Sequence, residues 1–196
     1  MMAASMAEKI PGQAGSEPVP TNMSMLGEIV WLMAHSELHR DWPIASIFQW
    51  VAPALMHKQC RLYRRDNRPV AYVAWAHMSK DVEEAYVLNP KSLQPNDWKS
   101  GDRGWLVDWI APFGDSAAVM QDLREGIFKD EVGRALRVKP GSDEMQIIYV
   151  HGVNANEKAR DLKLNPPVDL AGAALRAGLA ERTLKETGLA PAASDV

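Results

Sequence analysis

The sequence predicts an α+β fold in which helices come first and a mixed sheet follows, with one helix crossing the sheet. Three observations point there. Apolar residues recur at helical spacing from Leu26 to Leu55, two β-type runs flank the turn cluster Asp66-Asn67-Arg68-Pro69, and two further strand-like runs, GWLVDWIAP and RALRV, are separated by a helical stretch.

From residue 1 to about 23 the chain is small, polar and Pro/Gly-bearing, with nothing to offset the entropy of ordering, and it reads as a tail. Leu26, Ile29, Val30 and Met33 then mark a short helix that loses its period after Ala34. Pro43 suits a first helical position, and Ile44, Ile47, Phe48, Val51 and Leu55 predict a second helix reaching about Lys58. The following hairpin has a second strand, Val70 to His77, that is apolar on both alternating faces, as expected of a covered, central strand. The periodicity of SKDVEEAYVL fits a helix or a strand, and residues 89–104 are turn-rich. Trp105, Val107 and Trp109 alternate with Leu106 and Ile110 in a strand interrupted by one carboxylate, Asp108. Asp115 is placed to cap a helix bearing Val119, Met120, Leu123 and Ile127, after which RALRVKPG and EMQIIYVHG form two strands joined at Pro140-Gly141. The chain turns polar from Asn154, and an Ala/Leu-rich run from Asp169 to Glu186 predicts an extra C-terminal helix. The expected organisation is a tail over 1–23, one domain over 24–152 and a C-terminal extension over 153–196.

Composition narrows the function classes. With 196 residues, 46% hydrophobic and 24% charged, this is an ordinary globular chain. A single cysteine, Cys60, excludes an intramolecular disulfide or a Cys-rich zinc site and fits a reducing compartment. The first twenty residues hold no apolar signal region, and no run reaches the roughly 18 apolar residues of a membrane span, so the expectation is a soluble cytoplasmic protein. Twenty-two Lys+Arg against 25 Asp+Glu leave a formal charge of −3 and no overall field to attract nucleic acid. Seven tryptophans, all between Trp31 and Trp109, suit a core or a large apolar groove.

Few residues are candidates for chemistry. His35 and His39 are spaced i, i+4, but the intervening Ser-Glu-Leu is not a metalloprotease signature and no third zinc ligand is evident. His39 lies in LHRDWP, at a junction between helices, where an imidazole is either a solvated loop group or a general base near neutral pH. Asp108, among Trp105, Val107, Trp109 and Ile110, costs several kcal/mol if buried unpaired, so it needs a partner. Either a histidine fills that role, as in base-orienting carboxylates, or backbone N–H groups or Arg103 do. Cys60 begins a strand and reads as a small hydrophobe. Arg61, Arg64, Arg65 and Arg68 form the densest basic stretch, either a solvated hairpin edge or a docking patch for an acidic partner.

The blocks LGEIVWLMAHSELHRDWPI, RDNRPVAYVAWAHMS and DWKSGDRGWLVDWIAPFGD, followed by GRALRV, resemble the RTX toxin-activating lysine acyltransferases of the haemolysin-activator C type. The resemblance runs in order from about Leu26 to Gly152. It implies a GNAT-like fold, a homodimer, and transfer of a fatty acyl chain from acyl carrier protein to the ε-amine of internal lysines of an RTX protoxin. Acyl carrier protein enters as co-substrate and no cofactor is implied. His39 and Asp108 match the family's essential histidine and aspartate, and Ser36 matches a serine commonly present. The Gly-rich pyrophosphate turn of CoA-dependent relatives is absent from the sequence, as expected for a carrier-protein donor. The alternative is a non-catalytic toxin-binding chaperone of the same fold.

Overall fold

A computed structural model describes residues 21–138 and 145–164. Of the tail expected over residues 1–23, residues 1–20 lie outside the described residues, as do the Pro140-Gly141 connection and the Asp169–Glu186 helix, while residues 21–23 are not a tail but the first turn of a helix. Helices α1 (Thr21–His35), α2 (Ser46–Trp50) and α3 (Ala52–His57) come first. Strands β1 (Cys60–Arg65) and β2 (Arg68–Met78) follow, then α4 (Lys80–Leu88), β3 (Arg103–Ile110), α5 (Ser116–Glu125), β4 (Val132–Val138), β5 (Met145–His151) and α6 (Asn156–Leu164). The five strands form one sheet in the order β1-β2-β3-β4-β5, antiparallel except for β3 and β4, which run parallel across the α5 connection. This is the mixed sheet flanked by helices that the sequence predicts, and it agrees with a GNAT-like architecture.

Local chemistry accounts for most elements. The β1-β2 hairpin turns on Asp66 and Asn67, both at positive φ, as a two-residue turn matched to strand twist requires. Ser79 settles the ambiguity of the next segment: its hydroxyl accepts from the Val82 N–H, and Glu83, Tyr86 and Val87 then fall on the buried face of α4. Asp115 sits at the N-terminal boundary of α5 without capping it, because its carboxylate bonds Arg65 on the hairpin instead. The chain after Asn154, read only as polar, forms α6.

The second helix departs from expectation. A single helix from Pro43 to Lys58 is replaced by α2 and α3, broken at Val51, since Pro53 has no N–H to donate and its ring crowds the preceding turn. Ile47 and Val51 go into the core, while Ile44 and Phe48 remain exposed.

β2 is covered on both faces. Tyr72, Ala74, Ala76 and Met78 pack with Ile29, Leu32, Val51 and Trp98 on one side, and Ala71, Val73 and Trp75 pack with Val119, Leu123 and Phe128 on the other. The layers are tied by a buried carboxylate. Glu83 is fully buried, accepts from the Trp105 indole at 2.8 Å and from Arg103, and forms an ion pair with Arg134 at 3.1 Å, joining α4 to β3 and β4.

The basic hairpin is largely satisfied within the fold. Arg61 and Tyr63 both bond Asp122 of α5, Arg64 forms a forked pair with Glu28 of α1 at 2.6 and 2.7 Å, and Arg65 meets Asp115. Three of its four arginines therefore act as ties between elements, which leaves little of the expected docking patch. Cys60 is half-buried at the start of β1, and burial pushes its thiol up to about 11.

Two outcomes follow from these contacts. Glu83→Ala leaves Arg134 buried without its counter-ion and is expected to lower the unfolding free energy by about 3–5 kcal/mol in urea titrations, whereas a loss below about 1 kcal/mol means that the cluster is not the tie described. The rise of the Cys60 thiol from 9.0 to about 11 leaves about 100-fold less thiolate at pH 8. Native protein should accordingly react with iodoacetamide about 100-fold more slowly than urea-unfolded protein, and equal rates would contradict the buried thiol.

Candidate active site

α1 ends at His35, and the chain then coils tightly enough that the Ser36 carbonyl accepts from both the His39 N–H at 3.1 Å and the Arg40 N–H at 2.9 Å. The Trp42 N–H donates to the His39 carbonyl at 2.9 Å, so His39 is held on both flanks. The turn directs its imidazole inward, where it is 2% exposed and lies under the Trp42 ring at a centroid distance of 4.6 Å.

Asp108 approaches from the sheet. Simple alternation puts it on the face of Leu106, away from α1. The β2-β3 register slips instead: Trp75 pairs with Leu106 and Ala74 with Asp108, so Val107 is an extra residue, a β-bulge. The slip puts Trp105, Asp108 and Ile110 on the α1 side and Leu106 and Trp109 on the α5 side. Beside Asp108 run Ala74 and, beyond it, Cys60, two small residues that leave room for a side chain from above.

There His39 and Asp108, 69 residues apart in sequence, meet. His39 Nε2 and Asp108 Oδ1 are 2.9 Å apart, and the pair is buried. Oδ1 also accepts from the Trp109 N–H at 2.8 Å. On the opposite edge of the ring, Ser36 Oγ is 2.7 Å from Nδ1. A carboxylate offers only acceptors, so the hydrogen of the neutral imidazole belongs on Nε2, and Nδ1 accepts from the Ser36 hydroxyl. A hydroxyl, an imidazole and a carboxylate in line at hydrogen-bond distance can pass a proton inward and stabilise the resulting imidazolium.

Both sequence-predicted site residues are thus brought together, and the partner of Asp108 is the histidine; Arg103 is occupied by Glu83. His35 turns away: its Nδ1 bonds the Trp31 carbonyl, and its ring packs against Trp31 and Phe113. No group of three or more metal-ligating side chains is assembled among the described residues. Tyr72 and Tyr86 were not singled out from sequence. Both are buried, and burial raises both phenols first, followed by Cys60 and then the Asp108 charge for Tyr72 and by the Asp108 charge for Tyr86, so both keep their protons. The period-2 pattern of β2 already places Tyr72 on the face of Ala74; what was lacking was the register that sets Ala74 against Asp108.

Two features flank the site. β3 and β4 pair only at Trp105↔Arg134 and Leu106↔Ala135, so their C-terminal halves part on the side of Asp108. Trp31, His35 and Phe113 form an aromatic ledge at the end of α1, with ring centroids 4.1 to 5.6 Å apart, directly before Ser36. A separate cavity of about 600 Å³, lined by residues that include His77, Arg103, Glu131, Arg134 and Lys158, lies at the other end of β3 and touches neither His39 nor Asp108.

Comparison with known proteins identifies the family. Residues 19–151 match the RTX toxin acyltransferase family, a span that contains Ser36, His39 and Asp108. The chain is 44% identical over 136 residues to the RTX-III toxin-activating lysine-acyltransferase ApxIIC of Actinobacillus pleuropneumoniae, covering 69% of this chain and 78% of that one. It is 42% identical over 135 residues to the protein-lysine myristoyltransferase RtxC of Kingella kingae, covering 69% and 80%. To the protein-lysine myristoyltransferase HlyC of Escherichia coli it is 43% identical over 130 residues, covering 66% and 76%. Matched by the family model over more than half its length, and by these relatives over most of theirs, the chain belongs to the RTX toxin acyltransferase family.

Proposed function

We propose that this chain is a protein-lysine fatty acyltransferase that moves an acyl chain from acyl carrier protein to the ε-amine of internal lysines of an RTX protoxin, and so activates the toxin. The observation that carries this reading is the buried His39–Asp108 pair with the Ser36 hydroxyl on its outer side, in a member of a family whose relatives are named for lysine acylation. The reading includes a cytoplasmic setting and a homodimer, both on the strength of the resemblance. No helix among the described residues is long and apolar enough to cross a membrane.

The chemistry follows from the reactants. A lysine with a reference pKa of about 10.4 is mostly protonated at neutral pH and is not a nucleophile until a base takes its proton. His39 is that base. Its ring is covered, so the proton travels through the Ser36 hydroxyl to Nδ1, while Asp108 holds Nε2–H and offsets the positive charge that develops. The free amine adds to the thioester carbonyl, the nitrogen of the tetrahedral intermediate releases its second proton to water as the intermediate collapses to a neutral amide, and the departing carrier thiolate takes the proton held by His39. The parting of β3 and β4 beside Asp108 offers the thioester arm an approach, and holding it there turns a bimolecular encounter into an oriented one. An acyl-histidine intermediate is less well supported, because Nε2 faces Asp108 and Nδ1 faces Ser36.

The test is incubation of the protein with labelled acyl-acyl carrier protein and a candidate protoxin, with lysines mapped by mass spectrometry. Wild type should form amide-linked acyl-lysine and His39→Ala should not. Asp108→Asn should lower kcat by about 10³–10⁴-fold with little change in KM, since the amide can present the wrong hydrogen-bond partner to Nε2. Tight protoxin binding with no transfer by wild type would instead identify a non-catalytic chaperone.

A further inference from the structure

Ser36, His39 and Asp108 differ in what can reach them. His39 and Asp108 are 2% and 9% exposed, whereas Ser36 is half-exposed at the end of α1. An incoming acyl donor therefore meets the Ser36 hydroxyl before either other member. That hydroxyl is 2.7 Å from Nδ1, and Nε2 is 2.9 Å from the carboxylate. These are the distances and the order of roles, hydroxyl to base to orienting carboxylate, by which a serine becomes a nucleophile; only the ring nitrogens are exchanged relative to serine hydrolases, and either imidazole nitrogen can serve as base. The site also has somewhere to put an acyl chain. Trp31 and Phe113, which pack on the neighbouring His35 with ring centroids 5.6 Å from each other, and Leu38, two residues after Ser36, are large apolar side chains left substantially exposed.

We propose that this line of side chains is also an acyl-ester and acyl-thioester hydrolase, with Ser36 Oγ as the nucleophile, when no acceptor amine is present. It shares with the reading above an activated acyl donor, but not lysine as the acceptor. In the first half-reaction Ser36 Oγ bonds to the acyl carbon, its proton passes to His39 Nδ1, and the C–O or C–S bond to the leaving group breaks, the leaving group taking that proton. In the second, water adds to the acyl-serine ester, His39 accepts a water proton and returns it to Oγ, and a free fatty acid leaves. Atoms balance with water as the one co-reactant.

The experiment uses p-nitrophenyl decanoate and the full chain, without protoxin. The expected result is a burst of p-nitrophenolate close to one equivalent of protein followed by slower turnover. Acid-quenched wild type should carry the decanoyl group on the peptide containing Ser36, and Ser36→Ala should lose the burst and at least about 100-fold of the turnover. Release unchanged in Ser36→Ala, a decanoyl group found only on other residues, or no release above buffer would each overturn the proposal. Running the acyl carrier protein and protoxin assay on the same preparations separates the two readings. Lysine transfer without ester hydrolysis sinks only the hydrolase, and hydrolysis without lysine transfer sinks only the acyltransferase.

Discussion

A carboxylate placed inside a sheet surrounded by tryptophans is the constraint on which the rest of this molecule depends. Asp108 is 9% exposed, and an isolated buried charge at that depth costs several kcal/mol unless it is paired and hydrogen-bonded. The fold answers with an imidazole from a distant turn and the neighbouring backbone N–H of Trp109. Both contacts fall on Oδ1, while Oδ2 is buried without a hydrogen-bond partner, so the oxygen that is paired is also the one that polarises the imidazole.

The surrounding structure serves that meeting. The bulge at Val107 turns Asp108 toward α1, Ala74 and Cys60 leave space beside it, and the coil after His35 lowers the imidazole onto it. Further out, Glu83 fixes α4 to β3 and β4, while the hairpin arginines bind α1 and α5 to the sheet. The residues that look most like a partner-docking patch in the sequence thus hold the frame. A strand that carries a reactive carboxylate is anchored near its start by Arg103 and Trp105, which limits how far Asp108 can move from His39.

Burial also shapes what the site can do. With both ring nitrogens engaged, His39 meets the outside only through Ser36, so both of the roles proposed for the site, proton relay and acyl acceptor, turn on that partly exposed hydroxyl. The aromatic ledge of Trp31, His35 and Phe113 comes from α1 and from the loop after β3, next to the turn that supplies the histidine and the strand that supplies the aspartate.

Much was legible before any coordinates. Helical spacing, turn chemistry and two-sided apolar strands sufficed for α1, the hairpin, β3, α5 and the order of layers, because these are local preferences written within a few residues. The need of Asp108 for a partner was legible too, since it follows from one charge in an apolar run. Other features were not. Period-2 reasoning puts Asp108 on the wrong face, because one inserted residue reverses the face of everything after it and only pairing with β2 reveals the insertion. The break at Val51 needed the proline to be weighed above the apolar period, and the fate of the arginines needed the positions of α1 and α5. The sequence by itself determined which side chains are candidates for chemistry and most of the elements around them, because composition and period act locally. Tertiary structure alone decided that His39 and Asp108 face each other across 69 residues, because the register of strands and the packing of a helix on a sheet are properties of neighbours in space.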